Sequence, residues 1–305
     1  MRTFVIRRLL MTAVMLFLVM LTAFLLAHLT GDPVRLMVPE DASERQIAEL
    51  RHELGLDRPL PILFAEYVTH ALRGDLGPSI RYRKPTLSLI LERLPATVEL
   101  SSAAMAIALM IAVPIGIISA VRPGSVLDAV TSTAAIVGQA LPPFWIGIML
   151  IVLFAVHLGW VPAAGRGGLS HLVLPAITLS LFPMARLARI LRSSLLDVLH
   201  EDYIRTARAK GLAERRVIVR HGLRSACIPL LTVAGLTYGS ILGGTVITES
   251  VFAWPGVGRL ALEAVYNRDF PLVQAIVLVA ASMFIFINLF VDVAYGWLDP
   301  RIRLR

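Results

Sequence analysis

Leu100-Ser-Ser-Ala-Ala-Met-Ala-Ile-Ala-Leu-Met-Ile-Ala-Val-Pro-Ile-Gly-Ile-Ile-Ser-Ala-Val121 runs for 22 residues without one Asp, Glu, Lys or Arg. As a helix, about 20 apolar residues suffice to cross the roughly 30 Å hydrocarbon core of a bilayer. Five more charge-free runs accompany it: Leu9–Gly31, Ala129–Gly165, Gly167–Ala185, Ser225–Thr248 and Phe270–Val291. Each accommodates one crossing. The Ala129–Gly165 run continues into an interfacial segment, His157-Leu-Gly-Trp-Val-Pro162, with Trp160 as a belt residue; it is too short for two crossings and their turn. Of the 305 residues 57% are hydrophobic and 16% charged, with mean hydropathy +0.75. Soluble domains carry about 25% charged residues, so the solvent here is lipid. A single cysteine, Cys227, excludes a disulfide scaffold, and the apolar excess excludes disorder.

Six crossings put both termini on one side. Seventeen Lys and Arg lie in the segments that are inner when the N-terminus is inside, and three (Arg166, Arg259, Arg268) in the two short outer loops. That bias makes both termini cytoplasmic. The remaining nine basic residues face eleven acidic ones in 32–99, a segment long enough to escape the rule. The expected fold is an all-α membrane protein with spans at about 9–29, 97–121, 129–156, 171–191, 229–248 and 272–295. A small extracytoplasmic helical segment, 32–96, separates the first two. Arg7-Arg8 before an apolar run resembles a signal peptide. The run is too long for that, and His28-Leu29-Thr30 is a poor cleavage site, so it reads as a retained anchor.

Within 32–96, Ser43 and Gln46 form a capping box, and Ile47, Leu50 and Leu54 make one stripe before Gly55. A second helix starts near Pro59 and aligns Phe64, Tyr67, Val68, Ala71 and Leu72 before Gly74. A Gly-Asp-Leu-Gly turn at 74–77 precedes an amphipathic stretch, Leu87 to Leu94, ended by Pro95. Two readings stay open: a plug packing the outer ends of the spans, or a docking surface for an external partner.

The inner loop 193–228 holds a short helix, Glu201-Asp-Tyr-Ile-Arg-Thr-Ala-Arg-Ala-Lys210, with acids first and bases last as the helix dipole favours. Gly211 stops it in the left-handed region. A second helix, Ala213 to His221, is interrupted at Gly222, and Pro229 opens the fifth span. Small Ala207 and Ala209 let a partner surface approach; a basic hairpin lying on anionic lipid is the other reading. In the fifth span Gly235, Gly239 and Gly243 recur every four residues with Gly244 beside them, a groove for a helix of this chain or of a partner. Asp292 and Asn288 share one face near the inner end of the last span, where a neighbouring basic group is the expected partner rather than a proton path. Phosphate loop, His-Glu-x-x-His and Gly-x-Ser-x-Gly patterns do not occur, and the seven histidines show no ligand spacing.

Eight pieces together resemble the permease subunits of bacterial ABC importers of the dipeptide, oligopeptide and nickel group. They are Gly31-Asp-Pro-Val34, Leu54-Gly-Leu-Asp-Arg-Pro59, Arg73-Gly-Asp-Leu-Gly77, Leu94-Pro-Ala-Thr-Val-Glu-Leu100, Asp202-Tyr-Ile-Arg-Thr-Ala-Arg-Ala-Lys-Gly-Leu212, Glu249-Ser-Val-Phe-Ala-Trp-Pro-Gly-Val-Gly-Arg-Leu260, Asn267-Arg-Asp-Phe-Pro271 and Asp299-Pro-Arg-Ile-Arg303. The resemblance implies a non-enzymatic transport subunit of the cytoplasmic membrane that works by alternating access. It also implies the partners: a second homologous permease, two cytoplasmic ATPases carrying ATP and Mg, and an extracytoplasmic binding protein. This chain itself is expected to bind no cofactor and no metal. The Glu-Ala-Ala…Gly motif of the family maps its coupling helix onto Tyr203, Arg205, Thr206, Ala207, Ala209, Lys210, Gly211 and Leu212. Arg205 and Thr206 depart from the general consensus, and Pro229 comes later than the consensus proline. The outer loop with Trp254, Pro255, Gly256 and Gly258 is expected to face the binding protein or the pathway, unless Trp254 is a belt residue anchoring a re-entrant turn. Di- or oligopeptides are the implied substrate, with glutathione or nickel as the alternative. A stand-alone secondary transporter is a distant alternative, since no inverted repeat and almost no intramembrane charge are evident.

Overall fold

The computed structural model describes residues 2–29, 43–53 and 57–298, and there the chain is helical apart from short turns. Thirteen helices follow in order: α1 (Arg2–Leu29), α2 (Glu44–Glu53), α3 (Leu60–Leu72), α4 (Thr86–Val121), α5 (Val126–Ala140), α6 (Pro143–Leu150), α7 (Leu169–Leu199), α8 (Asp202–Ala209), α9 (Glu214–Arg216), α10 (Leu223–Gly244), α11 (Val246–Val251), α12 (Val257–Tyr266) and α13 (Phe270–Leu298). π-helical turns extend α6 through Ile151–His157 and join α9 to α10 through Val217–Gly222. Five helices are long and apolar enough to cross a membrane: Ile6–Leu25, Thr86–Val121, Leu169–Leu199, Glu214–Gly244 and Phe270–Val293. The Ala129–Gly165 run, expected as one helix, is divided between α5 and α6 at Leu141-Pro142.

Two expected boundaries shift. Pro95 does not end the amphipathic stretch, and Pro229 does not open the fifth span; both sit inside helices, as do Pro114, Pro175 and Pro183. Gly222 does not interrupt, because the π turn carries the helix across it. Long buried helices tolerate proline because neighbouring groups and local adjustments re-satisfy the freed carbonyl. The Gly31-Asp-Pro-Val34 and Asp299–Arg303 pieces, Leu54 and Gly55 lie outside the described residues.

The α4–α7 pair forms the centre. Ala104, Ala108, Ala112, Gly116 and Ala120 recur every fourth residue along α4 and are all buried. A Cβ on Gly116 would lie 3.0 Å from the Ala188 carbonyl oxygen and 3.0 Å from Leu191 Cβ, so the backbones approach as closely as small residues allow. Leu187, Leu191, Leu195, Leu230 and Ala234 complete this core from α7 and α10. Ala96 and Leu100 of α4 meet Ala176 of α7 in one cluster, while Gly116 meets Leu191, so the two helices run parallel. On α10, a Cβ at Gly235 would meet Val291 Cγ2 at 2.2 Å, and one at Gly239 would meet Phe284 at 3.2 Å. Two of the four groove glycines thus seat α13 of the same chain; Gly243 and Gly244 face open space.

α1 packs along α13, where Arg8 pairs with Asp292 at 2.6 Å, the basic partner expected for that carboxylate. The α2 capping box is reciprocal: the Ser43 N–H donates to Gln46 Oε1 (2.9 Å) and the Gln46 N–H to Ser43 Oγ (3.3 Å). Phe64 stacks edge-on against Phe17 and Phe24 of α1, and Tyr67 lies against Phe24. That face of α3 therefore packs on the first long helix. Leu72, grouped with it by spacing, instead stays 76% exposed.

Candidate functional site

Two constellations sit at opposite ends of α7. The first is the α8 hairpin. Ile204 and Ala207 point inward onto Val217, Val198, Leu199 and Leu212, which glue α8 to the end of α7 and to the π turn. Ala207 thus belongs to the hairpin's own core, contrary to its expected place under a partner surface. Tyr203, Arg205, Thr206, Ala209, Lys210 and Gly211 form the exposed face, and Leu212 is half-buried. Gly211 has φ +76, the left-handed conformation expected of it, and open space where a Cβ would stand. Its N–H closes on the Arg208 carbonyl (2.9 Å), while Leu212 N–H reaches the Ala207 carbonyl (3.4 Å). Arg208 grips Glu214 through Nε (3.1 Å) and Nη2 (2.7 Å), locking the two limbs. That hydrogen-bonded guanidinium holds the Glu214 carboxyl below the usual carboxylate range. The Tyr203 hydroxyl donates to Ser225 Oγ (3.2 Å), tying the exposed face to α10. Nearby, Arg192 of α7 makes a bidentate pair with the buried Asp128 of α5 (2.7 and 2.8 Å).

The second constellation is a buried hub built by Glu249 to Leu260. Glu249 has no exposed surface. Its Oε1 accepts from Thr97 Oγ1 (2.7 Å) and Thr245 Oγ1 (2.8 Å), and its Oε2 from the Arg259 N–H (2.8 Å). One carboxylate thereby joins α4, the α10–α11 break and α12. Thr97 Oγ1 also accepts the Val257 N–H (2.8 Å). Gly256 is required here by proximity, since a Cβ would lie 2.2 Å from Glu249 Oε1. At Gly258 a Cβ would stand 2.8 Å from the Val246 backbone.

Trp254 corrects the sequence expectation. It is fully buried, donates from Nε1 to the Ala96 carbonyl (2.8 Å), and packs with Leu100 and Ala176; it faces neither an outer partner nor a lipid interface. Rigid turns bearing an aromatic look alike from sequence whether the ring points out or in. The buried polar atoms of Thr97 and Glu249 in the neighbouring pieces carried the missing signal. Arg166, paired with Glu99, lies over the Trp254 ring at 6.0 Å. Asp269 is a third buried carboxylate, and its role was invisible in the sequence. It takes the Ser79 hydroxyl and the N–H groups of Ile80 (3.2 Å), Arg81 (3.1 Å) and Leu272 (3.3 Å). No group of three His, Cys, Asp or Glu among the described residues is placed to hold a metal ion.

The bundle carries an exposed hairpin at one end and a polar hub at the other, and comparison with known proteins fixes the class. The family described as "Binding-protein-dependent transport system inner membrane component" matches residues 112–304, and its N-terminal counterpart, "Binding-prot-dependent transport system membrane comp, N-term", matches 1–101. The chain belongs to this family of inner-membrane permease components of binding-protein-dependent ABC importers, and is a multi-pass protein of the cytoplasmic membrane. It is 43% identical over 306 residues to the glutathione transport system permease protein GsiC of Salmonella choleraesuis (strain SC-B67), covering 100% of both chains. It is 40% identical over 332 residues to the dipeptide transport system permease protein DppB of Alkalihalophilus pseudofirmus, covering 99% of this chain and 100% of that one. Among solved structures, the inward-facing MetNI methionine ABC transporter matches with TM-score 0.57 at 18% identity, over 70% of this chain and 97% of that chain. An amino acid ABC transporter solved with histidines matches with TM-score 0.52 at 17% identity, over 70% and 94%. At these identities the likeness is one of fold.

Proposed function

We propose that this chain imports di- or oligopeptides across the cytoplasmic membrane as one permease of an ATP-driven, binding-protein-dependent transporter. Similarity to a dipeptide permease over 99% of this chain and 100% of that one carries the substrate reading. The five long helices and the interrupted α5–α6 segment make six crossings with both termini cytoplasmic, and 32–96 is extracytoplasmic. The exposed face of α8, Tyr203 to Gly211, docks on an ATPase; two such subunits hold ATP and Mg, and this chain binds neither. A second, related permease completes the pathway as a heterodimer. Closure of the ATPases moves the hairpin, and the helices follow as rigid bodies between outward- and inward-open arrangements. The 43% identity to glutathione permeases supports a second reading, in which the same machinery carries that tripeptide.

The test is uptake of labelled dipeptide in cells with and without this chain, competed by longer peptides, glutathione and nickel. Loss of uptake on deletion, with competition by peptides, is the expected result. Dipeptide uptake unchanged by deletion, alongside lost glutathione uptake, establishes the second reading instead.

A further inference from the structure

The turn held by Asp269 presents charges the transport reading leaves unused. Residues 78–85 form a tight loop closed by the Pro78–Pro85 bridge, the Ser79 N–H on the Lys84 carbonyl (2.9 Å) and the Arg83 N–H on the Ser79 carbonyl (3.0 Å). Three donors from the loop, the Ser79 hydroxyl and the Ile80 and Arg81 N–H groups, bolt it to the buried Asp269 carboxylate at the α12–α13 junction. On its surface Arg81, Arg83 and Lys84 stand exposed beside Arg268, and Tyr82 and Tyr266 flank them. Elsewhere on the side read as outer, Arg45, Arg58, Arg166 and Arg259 each have a carboxylate partner. Among the described residues these four cations have none; Arg73 and Arg93 on the same side have none either, so the four are set apart by their grouping on one loop and its junction. Glu263, which accepts from the Tyr82 hydroxyl of this loop (3.2 Å), is already engaged by Arg259 Nε (3.0 Å).

Backbone conformation adds an independent observation. Among the described residues three non-glycine positions have positive φ, and two of them are Arg83 (φ 51) and Arg268 (φ 54). Glycine or asparagine adopts that region with less strain, so an arginine at both positions is retained against local preference. Strain of this kind concentrates where a side chain serves a ligand or partner.

We infer that Arg81, Arg83, Lys84 and Arg268 form a preorganised cationic platform that docks an acidic surface of the extracytoplasmic binding protein. The inference rests on the orientation and importer reading proposed above. A protein of a binding-protein-dependent family must receive a soluble partner on its outer face. A platform rigidified by a buried carboxylate loses little freedom on docking, and unpaired rim cations steer encounter with an opposite charge.

The test replaces Arg83 and Arg268 together by glycine, which removes two charges and relieves both positive-φ positions. The purified transporter in nanodiscs is titrated with the binding protein that stimulates ATP hydrolysis by the wild-type complex. The double variant is expected to melt no lower than wild type, to retain the second permease, and to bind about fivefold more weakly at roughly 50 mM salt, mainly through a slower on-rate. The gap closes near 500 mM salt, where the Debye length falls to roughly 4 Å. Equal affinity at low salt overturns the proposal. So does loss of the second permease, which makes the platform a subunit interface. A gap that vanishes in purely phosphatidylcholine nanodiscs assigns the charges to anionic lipid and overturns it equally. If no binding protein engages the wild-type complex, the importer reading itself fails and takes the platform with it.

Discussion

Gly256→Ala tests whether the buried hub is organised by its carboxylate. The added Cβ would stand 2.2 Å from Oε1, 2.3 Å from Cδ and 2.5 Å from Oε2 of Glu249. Van der Waals contact requires the carboxylate to retreat by on the order of 1 Å. A free surface carboxylate would swing aside, but Glu249 is buried and its Oε1 is fixed by Thr97 and Thr245 at 2.7 and 2.8 Å. Displacement therefore breaks two hydrogen bonds to a carboxylate, each worth about 1.5–3 kcal/mol, for a total of about 3–6 kcal/mol. In a chain of this size that corresponds to a fall in melting midpoint on the order of 10 °C. The assay is fluorescence-monitored melting of the purified transporter, run as a cycle with Glu249→Ala. Glu249→Ala alone is strongly destabilising, because it orphans the two hydroxyls and the Arg259 N–H. Once the carboxylate is gone, the methyl added at position 256 enters vacated space and costs less than about 1 kcal/mol. Full additivity of the two substitutions, or a Gly256→Ala protein that melts like wild type, refutes the reasoning.

Three further outcomes follow from the geometry. Gly211→Val forces a β-branched side chain to φ +76, at a strain of about 1–2 kcal/mol that re-aims the loop after α8; the protein is expected to insert normally and to hydrolyse ATP without uptake, whereas Gly211→Asn retains uptake. Normal uptake by the valine variant contradicts this. Trp254→Ala empties a fully buried site and is expected to lose about 3–5 kcal/mol of stability, read as reduced yield and early melting, while Trp254→Phe loses mainly the bond to the Ala96 carbonyl; selective loss of transport in a normally stable alanine variant counts against the structural role. The folded Glu214 carboxyl titrates below its unfolded value, so the Arg208–Glu214 clamp contributes stability above the unfolded pKa and loses it as pH falls through the folded one. Protection factors for hydrogen exchange across α8 and α9, taken relative to the intrinsic rate at each pH, are thus expected to fall on acidification in wild type but not in Glu214→Gln. The effect is small because the pair is exposed.

The helices were largely legible because charge-free length is a property of the chain alone. Charge-free runs located the cores of the five long helices, spacing gave the Ser43–Gln46 box, and a glycine after a basic helix end gave the left-handed Gly211. What failed was anything decided by a neighbour. Pro95 and Pro229 look like boundaries until adjacent helices accommodate them. Trp254 turns inward because Ala96, 158 residues away, stands beside it, and Ala207 because the hairpin folds Val217 back onto it. The fourth-residue repeat of Ala104, Ala108, Ala112, Gly116 and Ala120 was readable within the most apolar stretch of the chain. Alanines in an apolar run carry little signal beside the more conspicuous glycines of α10, yet they form the central seam.

That seam bears on how the two constellations communicate. Ala176 of α7 touches the Trp254 cluster, and Leu199 of the same helix touches Ile204 and Val217 beneath α8. The 23 residues between them span about 35 Å at the rise of an α-helix. Over much of that length α7 is packed against α4 through buried side chains, and close-packed interiors transmit strain. A push at α8 thus displaces the α4–α7 pair as a body. Relief is available only near Pro175 and Pro183, where α7 lacks backbone hydrogen bonds. Both prolines lie in the half of α7 towards the hub, so bending concentrates between Ala185 and the Trp254 contact. The hub is strongly cross-linked there, with Thr97 of α4 bonded to both Glu249 and the Val257 N–H. A moving α4 must carry α11 and α12 with it or break those bonds. Under the transport reading, the outer loops therefore follow the inner hairpin because a single carboxylate ties them to the same helix pair.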